Sequence, residues 1–343
     1  DLVKVKKIFL KDIAKELKLS KTAVSLVLNN RGDENKISKE TQKRILDFAK
    51  KNNYRPNQMA RGLSLGKSET IGLIVPNISD IFYAKIAHFV ELKAKEFGYN
   101  VVFSSSNENA AVEKELIYSM LNRQVDGLII ASTQKNRADI LKLKEANFPF
   151  VLIDRYYPDI KTNYVIVDNL GGAKHMTSHL LANGRKRIGF ISIKSQLDAM
   201  LQRRLGYELA LTENRFEIEN NYIKELDPFN YQDEMKGAIQ EMVQMENGVD
   251  AIVFTTHYLA ASGLRELKLL NIAVPGKVAI ISFDELGAFD LVEPPITASK
   301  QPVDAMGNEA VEILVNEIDK KNLKIENERV LQTNLLIRKS CGV

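Results

Sequence analysis

After Ser68 the sequence alternates short, wholly apolar runs with longer amphipathic segments, and no other feature constrains the fold as tightly. The first series has apolar runs at 71–75, 100–104, 127–131 and 150–153, with helical patterns over 81–97, 112–123 and 138–147 between them. A second series begins near Tyr164, with runs at 165–167, 187–192, 251–255 and 278–283 and helical patterns over 170–182, 199–214, 232–245 and 259–270. Strands apolar on both faces belong in parallel sheets covered by helices on both sides, and the βαβ unit is the connection that builds them. The doubling therefore predicts an α/β chain with two similar doubly wound lobes and a cleft between them. A tail with a strand at 297–300, a helix over 303–320 and a strand over 330–337 is expected to return to both lobes.

In open parallel sheets, ligands bind beyond the carboxyl ends of the strands. The residues there are 77–83, 104–106, Asp154 and Arg155, Asp168, 255–257, Phe283 and Asp284, and Arg203 can point into the same cleft from the start of its helix. Carboxylates, arginines, and amide or hydroxyl groups beside aromatic rings are the chemistry of sugar binding. Bidentate groups read paired hydroxyls, and a C–H face of the sugar lies on an aromatic. The candidate effector residues are Phe82, Tyr83, Ser104, Asp154, Arg155, Arg203, Thr256, His257, Phe283 and Asp284. For Asp154 and Arg155 a purely structural ion pair is the competing reading.

The first 66 residues are different. They hold 16 Lys and Arg against 7 Asp and Glu, a balance of +9; the remainder of the 48 basic and 44 acidic residues leaves 32 against 37, or −5. A compact basic segment on a slightly acidic body points to a polyanion at one end. Three helical patterns fill it. The first, over 10–17, puts Ile13, Ala14 and Leu17 on one face; after a break at 18–20 the second runs over 21–29 behind a Ser20 N-cap, with Val24, Val27 and Leu28 apolar. The third runs from Ser38 to about residue 52 and is expected to turn Ile45, Leu46, Phe48 and Ala49 inward. Two eight-residue helices across a three-residue break are the helix-turn-helix plan, whose second helix enters the major groove. Lys21, Thr22, Ser25, Leu26 and Asn29 then face the groove, with Lys11, Ser20 and Arg61 as further DNA-side candidates. A small helical bundle for protein contacts is the alternative. Beyond Pro56, residues 57–63 carry a short, Gly-bearing pattern whose isolated helix is marginal and so can be ordered by binding.

These residues resemble the lactose repressor/galactose repressor (LacI/GalR) family of bacterial transcription regulators. The matching strings are LKDIAKELKLSKTAVSLVLNN, ISKETQKRILDFAKKNNYRPNQMARGL, ETIGLIVPNISDIFYAKIAHFVELKAKEFGYNVVFSSS, VDGLIIAS, FVLIDR, VIVDNLGGA and VAIISFDELG, in order along the chain. The resemblance implies a helix-turn-helix domain at 1–56, a hinge helix and linker at 57–67, and a periplasmic-binding-protein-like core at 68–343. The chain would cross between lobes near 166, 296 and 326, giving lobe 1 as 68–166 and 297–325 and lobe 2 as 167–296 and 326–343. It further implies that Asn57 caps the hinge helix, that Ala60 meets its dimer mate and that Leu63 wedges into the minor groove. Asp154, Arg203 and Asp284 are the foremost effector candidates. Lys18 stands where the family often has Gly and is expected to need a positive φ; Leu26 stands where Arg is common; Thr256 and His257 stand where Asn and Asp are common.

The implied function is a DNA-binding regulator, of repressor type, controlled by a sugar or sugar derivative between the lobes. The expected partners are palindromic double-stranded DNA, a carbohydrate effector and a second copy of the chain. A homodimer is expected because one helix-turn-helix reads only a half-site and no heptad tail follows the last strand pattern. A sugar-binding or sugar-processing protein with an incidental basic segment is the alternative. Catalysis, a cofactor and a metal are not expected: His175 and His179 lack the HExxH pattern, Gly171–Gly172 lacks nucleotide-loop spacing, and Cys341 is the single cysteine. No apolar run approaches the ~18 residues of a membrane span, and the opening residues carry no signal-peptide core, so a cytoplasmic location is expected.

Overall fold

The computed structural model describes residues 8–54, 67–319 and 327–343. The chain divides into two compact units, Asp1–Ser68 and Glu69–Val343. Residues 57–66, with Asn57, Ala60, Arg61 and Leu63, lie outside the described residues.

The first unit holds three helices, α1 (Leu10–Leu17), α2 (Lys21–Leu28) and α3 (Lys39–Lys51). Their common core is Ile13, Ala14, Val24, Val27, Ile45 and Ala49. Lys18 ends α1 in the left-handed region at φ 53°, and the following Leu19 N–H bonds back to Ala14 O at 2.9 Å. This turn sets the angle between α1 and α2. Ser20 caps α2 by accepting from Ala23 N at 3.0 Å, and Ser38 caps α3 from Thr41 N. One expectation fails: Leu46 is 46% exposed, because Ile45 and Ala49 already fill the seam on that side of α3.

The second unit is built on two six-stranded sheets. The elements run β1 (Thr70–Val75), α4 (Ile81–Glu96), β2 (Asn100–Ser105), α5 (Ala110–Asn122), β3 (Gly127–Ile130), α6 (Arg137–Glu145), β4 (Phe150–Ile153) and β5 (Tyr164–Val167). They continue with α7 (Asn169–Ala182), β6 (Ile188–Ile193), α8 (Asp198–Glu213), β7 (Ile223–Leu226), α9 (Tyr231–Gln244), β8 (Ala251–Phe254), α10 (His257–Leu269) and β9 (Ala279–Phe283). The tail comprises β10 (Thr297–Lys300), α11 (Val303–Ile318), β11 (Glu328–Leu331) and β12 (Asn334–Leu336). Lobe 1 has the order β11-β5-β4-β3-β1-β2 and lobe 2 the order β12-β10-β9-β8-β6-β7. All pairings are parallel except β10 with β12. The central strands are buried along their whole length, with an apolar cluster on each face of each sheet.

The lobe boundaries differ from expectation. Tyr164–Val167 pairs with β4 and completes lobe 1, which puts the first crossing at Asp168, beside the expected 166; Thr297–Lys300 pairs with β9 in lobe 2, and Glu328–Leu331 pairs with β5 in lobe 1. The second and third crossings therefore fall at 301–302 and at 332–333 rather than near 296 and 326. The expected single tail strand splits into β11 and β12 at that last crossing, because its first half pairs with β5 in lobe 1 and its second half with β10 in lobe 2. The strand β7 is absent from the sequence reading because its residues, IKEL, form a half-polar edge. The Gly171–Gly172 pair serves close packing: a Cβ on Gly172 would sit 2.9 Å from the Phe283 ring.

Candidate functional site

On the first unit, the outward side of α2 presents Lys21, Thr22 and Asn29 exposed and Ser25 and Leu26 half-buried, while Lys11 and Ser20 are exposed nearby in the chain. Arg31 and Lys39 are paired with Glu34 and Asp33, whereas Lys21 makes no ion pair among the described residues. The Asn29 amide already donates to Ser25 O at 2.9 Å, which holds the side chain along the last turn of α2.

In the second unit, the carboxyl ends of both sheets meet at the cleft. Lobe 1 contributes Asp154, which follows β4 in the left-handed region at φ 65° and is 8% exposed. Tyr83 OH donates to its Oδ2 at 2.7 Å, and Arg155 Nε stands 3.5 Å from the same oxygen. Arg155 is committed elsewhere: its two terminal nitrogens each bond a Glu108 oxygen at 2.8 Å. The structural alternative thus describes Arg155 well, and Asp154 keeps its second oxygen outside that pair.

Lobe 2 contributes Asp284, which follows β9 at φ 71°, and Arg203 from α8. Arg203 is fully packed: Nε donates to Asn169 Oδ1 at 2.8 Å, Nη1 donates to Thr255 O at 2.6 Å, and the guanidinium lies 3.7 Å from the Phe283 ring centroid. Its Nη1 is 3.9 Å from Asp284 Oδ2, and Gln301 Nε2 donates to Asp284 Oδ1. Non-glycine residues at positive φ cost ~1 kcal/mol, tolerated best by Asp and Asn, and they concentrate where side chains must be aimed. Thr256 caps α10 through its hydroxyl, and His257 opens that helix with Nε2 3.9 Å from Asp80 Oδ1 on lobe 1. A second lobe-to-lobe contact runs from Asp198 N to Gln134 Oε1 at 3.0 Å.

The electrostatics follow from burial. Desolvation raises the Asp154 carboxyl above the usual range, against the opposing pull of Arg155, the Tyr83 hydrogen bond and Arg203. Asp80 is raised for the same reason, opposed by the Phe82 N–H and His257 and reinforced by Asp284. Burial pulls Arg203 down, and Asp284 and Asp154 resist it.

The expected aromatic platform is corrected. Phe283 is 1% exposed and Tyr83 6%, so the first stacks under Arg203 and the second holds Asp154. Only Phe82 remains half-buried, lining a small cavity with His257, Asp284 and Gln301. Ser104 lies inside β2 opposite Ile74, and Ser106 two residues on is the fully buried hydroxyl. Sequence reasoning does not single out Asp80, Asn169 or Gln301. The carboxyl-end rule would have found Gln301 had 297–300 been assigned to lobe 2. Among the described residues no three His, Cys, Asp or Glu side chains stand close enough to hold a metal ion, and no helix is long and apolar enough to cross a membrane.

A helix-turn-helix unit followed in the chain by a two-lobed unit with charged groups from both lobes on one cleft defines a ligand-responsive DNA-binding regulator. Residues 9–57 match the model of bacterial regulatory proteins of the lacI family, and 68–339 match that of periplasmic binding proteins and the sugar binding domain of the LacI family. The HTH-type transcriptional regulator RegA of Clostridium saccharobutylicum is 31% identical over 96% of this chain and 98% of its own. Among solved structures, the transcriptional regulator CelR in complex with cellobiose matches at TM-score 0.72 and 26% identity, covering 97% of this chain and all of that one. The lac repressor dimer bound to operator and the anti-inducer ONPF shares the fold at TM-score 0.85 and 21% identity, over 98% and 99% of the two chains. The chain belongs to the LacI family of bacterial regulatory proteins. It is a DNA-binding transcriptional regulator of the repressor type with an effector-binding core.

Proposed function

We propose that this regulator binds a palindromic operator as a homodimer in the cytoplasm and that a carbohydrate in the interlobe cleft controls its affinity. It acts by binding, without catalysis. The observation that carries the reading is the pair Asp154 and Asp284, each left-handed at the end of the fourth strand of its lobe, with Arg203 reaching Asp284 across 3.9 Å. Charges supplied by both lobes make ligand affinity depend on lobe closure, and a ligand shifts that equilibrium only by its differential affinity for the two forms. The CelR–cellobiose complex supports a sugar as the ligand class.

On DNA, Lys21, Thr22, Ser25, Leu26 and Asn29 read the major groove, with Lys11 and Ser20 at phosphates. Asn57, Arg61 and Leu63 add contacts at the operator centre, with Ala60 against its dimer mate. Leu26 has only an apolar surface to offer a base, which favours a thymine methyl. The test is operator binding by fluorescence anisotropy across a salt series, with and without a panel of sugars. Lys21→Ala should weaken operator and random DNA alike and reduce the salt slope by about 1 if the lysine meets a phosphate. Leu63→Ala should lower operator affinity and leave effector binding intact. Salt-independent binding of this chain to DNA would refute the reading.

A further inference from the structure

Two of the lobe-to-lobe contacts differ in kind. Gln134, left-handed at φ 59°, is anchored on lobe 1 by donating from Nε2 to the Tyr156 carbonyl, and its Oε1 accepts from Asp198 N on lobe 2 at 3.0 Å. Neither of the amides in that contact changes charge. His257, the first residue of α10 on lobe 2, instead stands with Nε2 3.9 Å from Oδ1 of Asp80, the residue that caps α4 on lobe 1. Its Nδ1 is buried and has no hydrogen-bond partner, and Gln301 Oε1 on the same small cavity has none either. Around the imidazole stand Asp80 and Lys85 from α4, Asp284 and Glu285 beyond β9, and Lys300 at the end of β10. Tyr258 lies edge-on to it within α10, while Arg155 acts on Asp80 and Arg203 on Tyr258.

We infer that the His257–Asp80 contact is a proton-operated latch between the lobes, and that the Gln134 contact with Asp198 N is its proton-independent companion. The latch acts on closure itself and does not depend on which ligand the cleft takes. A neutral imidazole donates from one nitrogen only, whereas the protonated ring donates from both. Protonation therefore turns the Asp80 contact into an ion pair and makes the orphaned Nδ1 a donor on the cavity that also holds the unpartnered Gln301 oxygen. Opening the lobes separates His257 from Asp80, so the closed form binds the proton more tightly than the open one. By linkage, acid favours closure, the same sense in which a ligand bridging the lobes acts. An unperturbed imidazole changes charge between about pH 5 and 8, so the contribution is whole at the acid end of that range and is lost as pH climbs through it.

The chain has no tryptophan, so Phe82→Trp places a single indole on the cavity wall shared with His257. The experiment measures the bimolecular quenching constant of this indole by acrylamide in the full-length protein from pH 5.5 to 8.5. Small-angle scattering of the unsubstituted chain is recorded over the same range. The quenching constant should rise about 2–5-fold toward pH 8.5, the scale of a partly exposed ion pair, and the radius of gyration should rise with it. Both rises should vanish in His257→Asn and in Asp80→Asn, which keeps a side chain able to cap α4. Gln134→Ala should raise the quenching constant at every pH and keep its rise. A radius that is flat with pH in the unsubstituted chain overturns the latch, whatever the quenching does. A rise that survives intact in His257→Asn also overturns it and assigns the titration to another group, Asp198 first, since burial raises that carboxyl. Loss of the rise in Gln134→Ala overturns the separation of the two contacts. If Phe82→Trp does not fold, the scattering series on the native Phe82 chain and its variants decides among the same outcomes.

Discussion

Lobes 1 and 2 share a frame and differ in how their charges are spent. The strand orders correspond, β2-β1-β3-β4-β5 in one and β7-β6-β8-β9-β10 in the other. Local devices recur: Asp126, just before β3, accepts from Glu69 N, and Asp250, just before β8, accepts from Lys186 N and Arg187 N, so each ties the entrance of the first strand. The fourth strand of each lobe ends on a left-handed aspartate, Asp154 and Asp284. The next residue reverses sign. It is Arg155 in lobe 1, paired with Glu108, and Glu285 in lobe 2, paired with Arg338 at 2.8 Å. Lobe 1 holds its aspartate with Tyr83 and Arg155 of the same lobe, and lobe 2 holds Asp284 with Arg203 and with Gln301 at the crossing. The repeated backbone keeps the aiming residues and partners them differently, by a tyrosine and the neighbouring arginine in lobe 1 and by an arginine from a distant helix and a glutamine in lobe 2.

The largest expected effect separates the two arginines. Arg203→Ala should abolish the effector response while DNA binding persists, because it leaves Asn169, the Thr255 carbonyl and Asp284 without their buried cation. It should also cost ~3 kcal/mol of stability, the usual result of removing one member of a buried charged set. Arg155→Ala should cost less, since Glu108 is 44% exposed and can return to water, and Asp154 keeps the Tyr83 hydrogen bond. Denaturant unfolding and effector-dependent operator release, measured on both variants, check the order. An Arg155→Ala protein as unresponsive as Arg203→Ala, at wild-type stability, would break the contrast between a framework arginine and a ligand-side one.

The aspartates come next. Asn at 154 can still accept from Tyr83 OH while shedding a charge that burial disfavours, so Asp154→Asn should leave the ligand-free protein unchanged or slightly more stable at pH 7. Asp284→Asn should lose stability, because Arg203 then keeps a buried positive charge with one carboxylate fewer near it. Both should weaken the effector by 10-fold or more, the scale of a charged hydrogen bond of ~1.5–3 kcal/mol. Equal stability changes in the two variants would show that the lobes hold their aspartates in the same way.

Much of this frame was legible from patterning, because fully buried parallel strands must be apolar on both faces and the helices between them amphipathic. The helix-turn-helix was legible too, down to the Ser20 cap, since caps are short-range, and the family resemblance supplied the positive φ of Lys18. Membership of the last strands was not. Thr297–Lys300 and Glu328–Leu331 are four residues each, and nothing local in TASK or ERVL says which sheet supplies the neighbouring strand. The repeat of Val125–Asp126 at Val249–Asp250 would have set the two lobes in register and placed β10 with lobe 2. At the site, the sequence could nominate Phe283 as an aromatic face but not reveal that Arg203 covers it. That fact depends on a helix 80 residues away.

The smallest expected effect tests the end of lobe 1 remote from the cleft. There Glu317, near the end of α11, accepts from Asn163 Nδ2 at 2.8 Å and from Phe150 N at the start of β4, and burial raises its carboxyl from 4.5 to about 7 despite both hydrogen bonds. A carboxyl raised on folding binds its proton more tightly in the native state, so its contribution to stability is whole below pH 4.5 and is lost as pH climbs through about 7. Glu317→Gln keeps an oxygen for Asn163 and removes the titration. The variant should match wild type at pH 5 and exceed it by about 2–4 °C at pH 8, the shift that ~1 kcal/mol produces in a domain of this size. Thermal unfolding at pH 5, 6, 7 and 8 measures it. Since the gap opens between about pH 4.5 and 7 and is complete above neutrality, a Gln variant that is less stable at every pH would mean that the carboxylate is held in place by its ionised form.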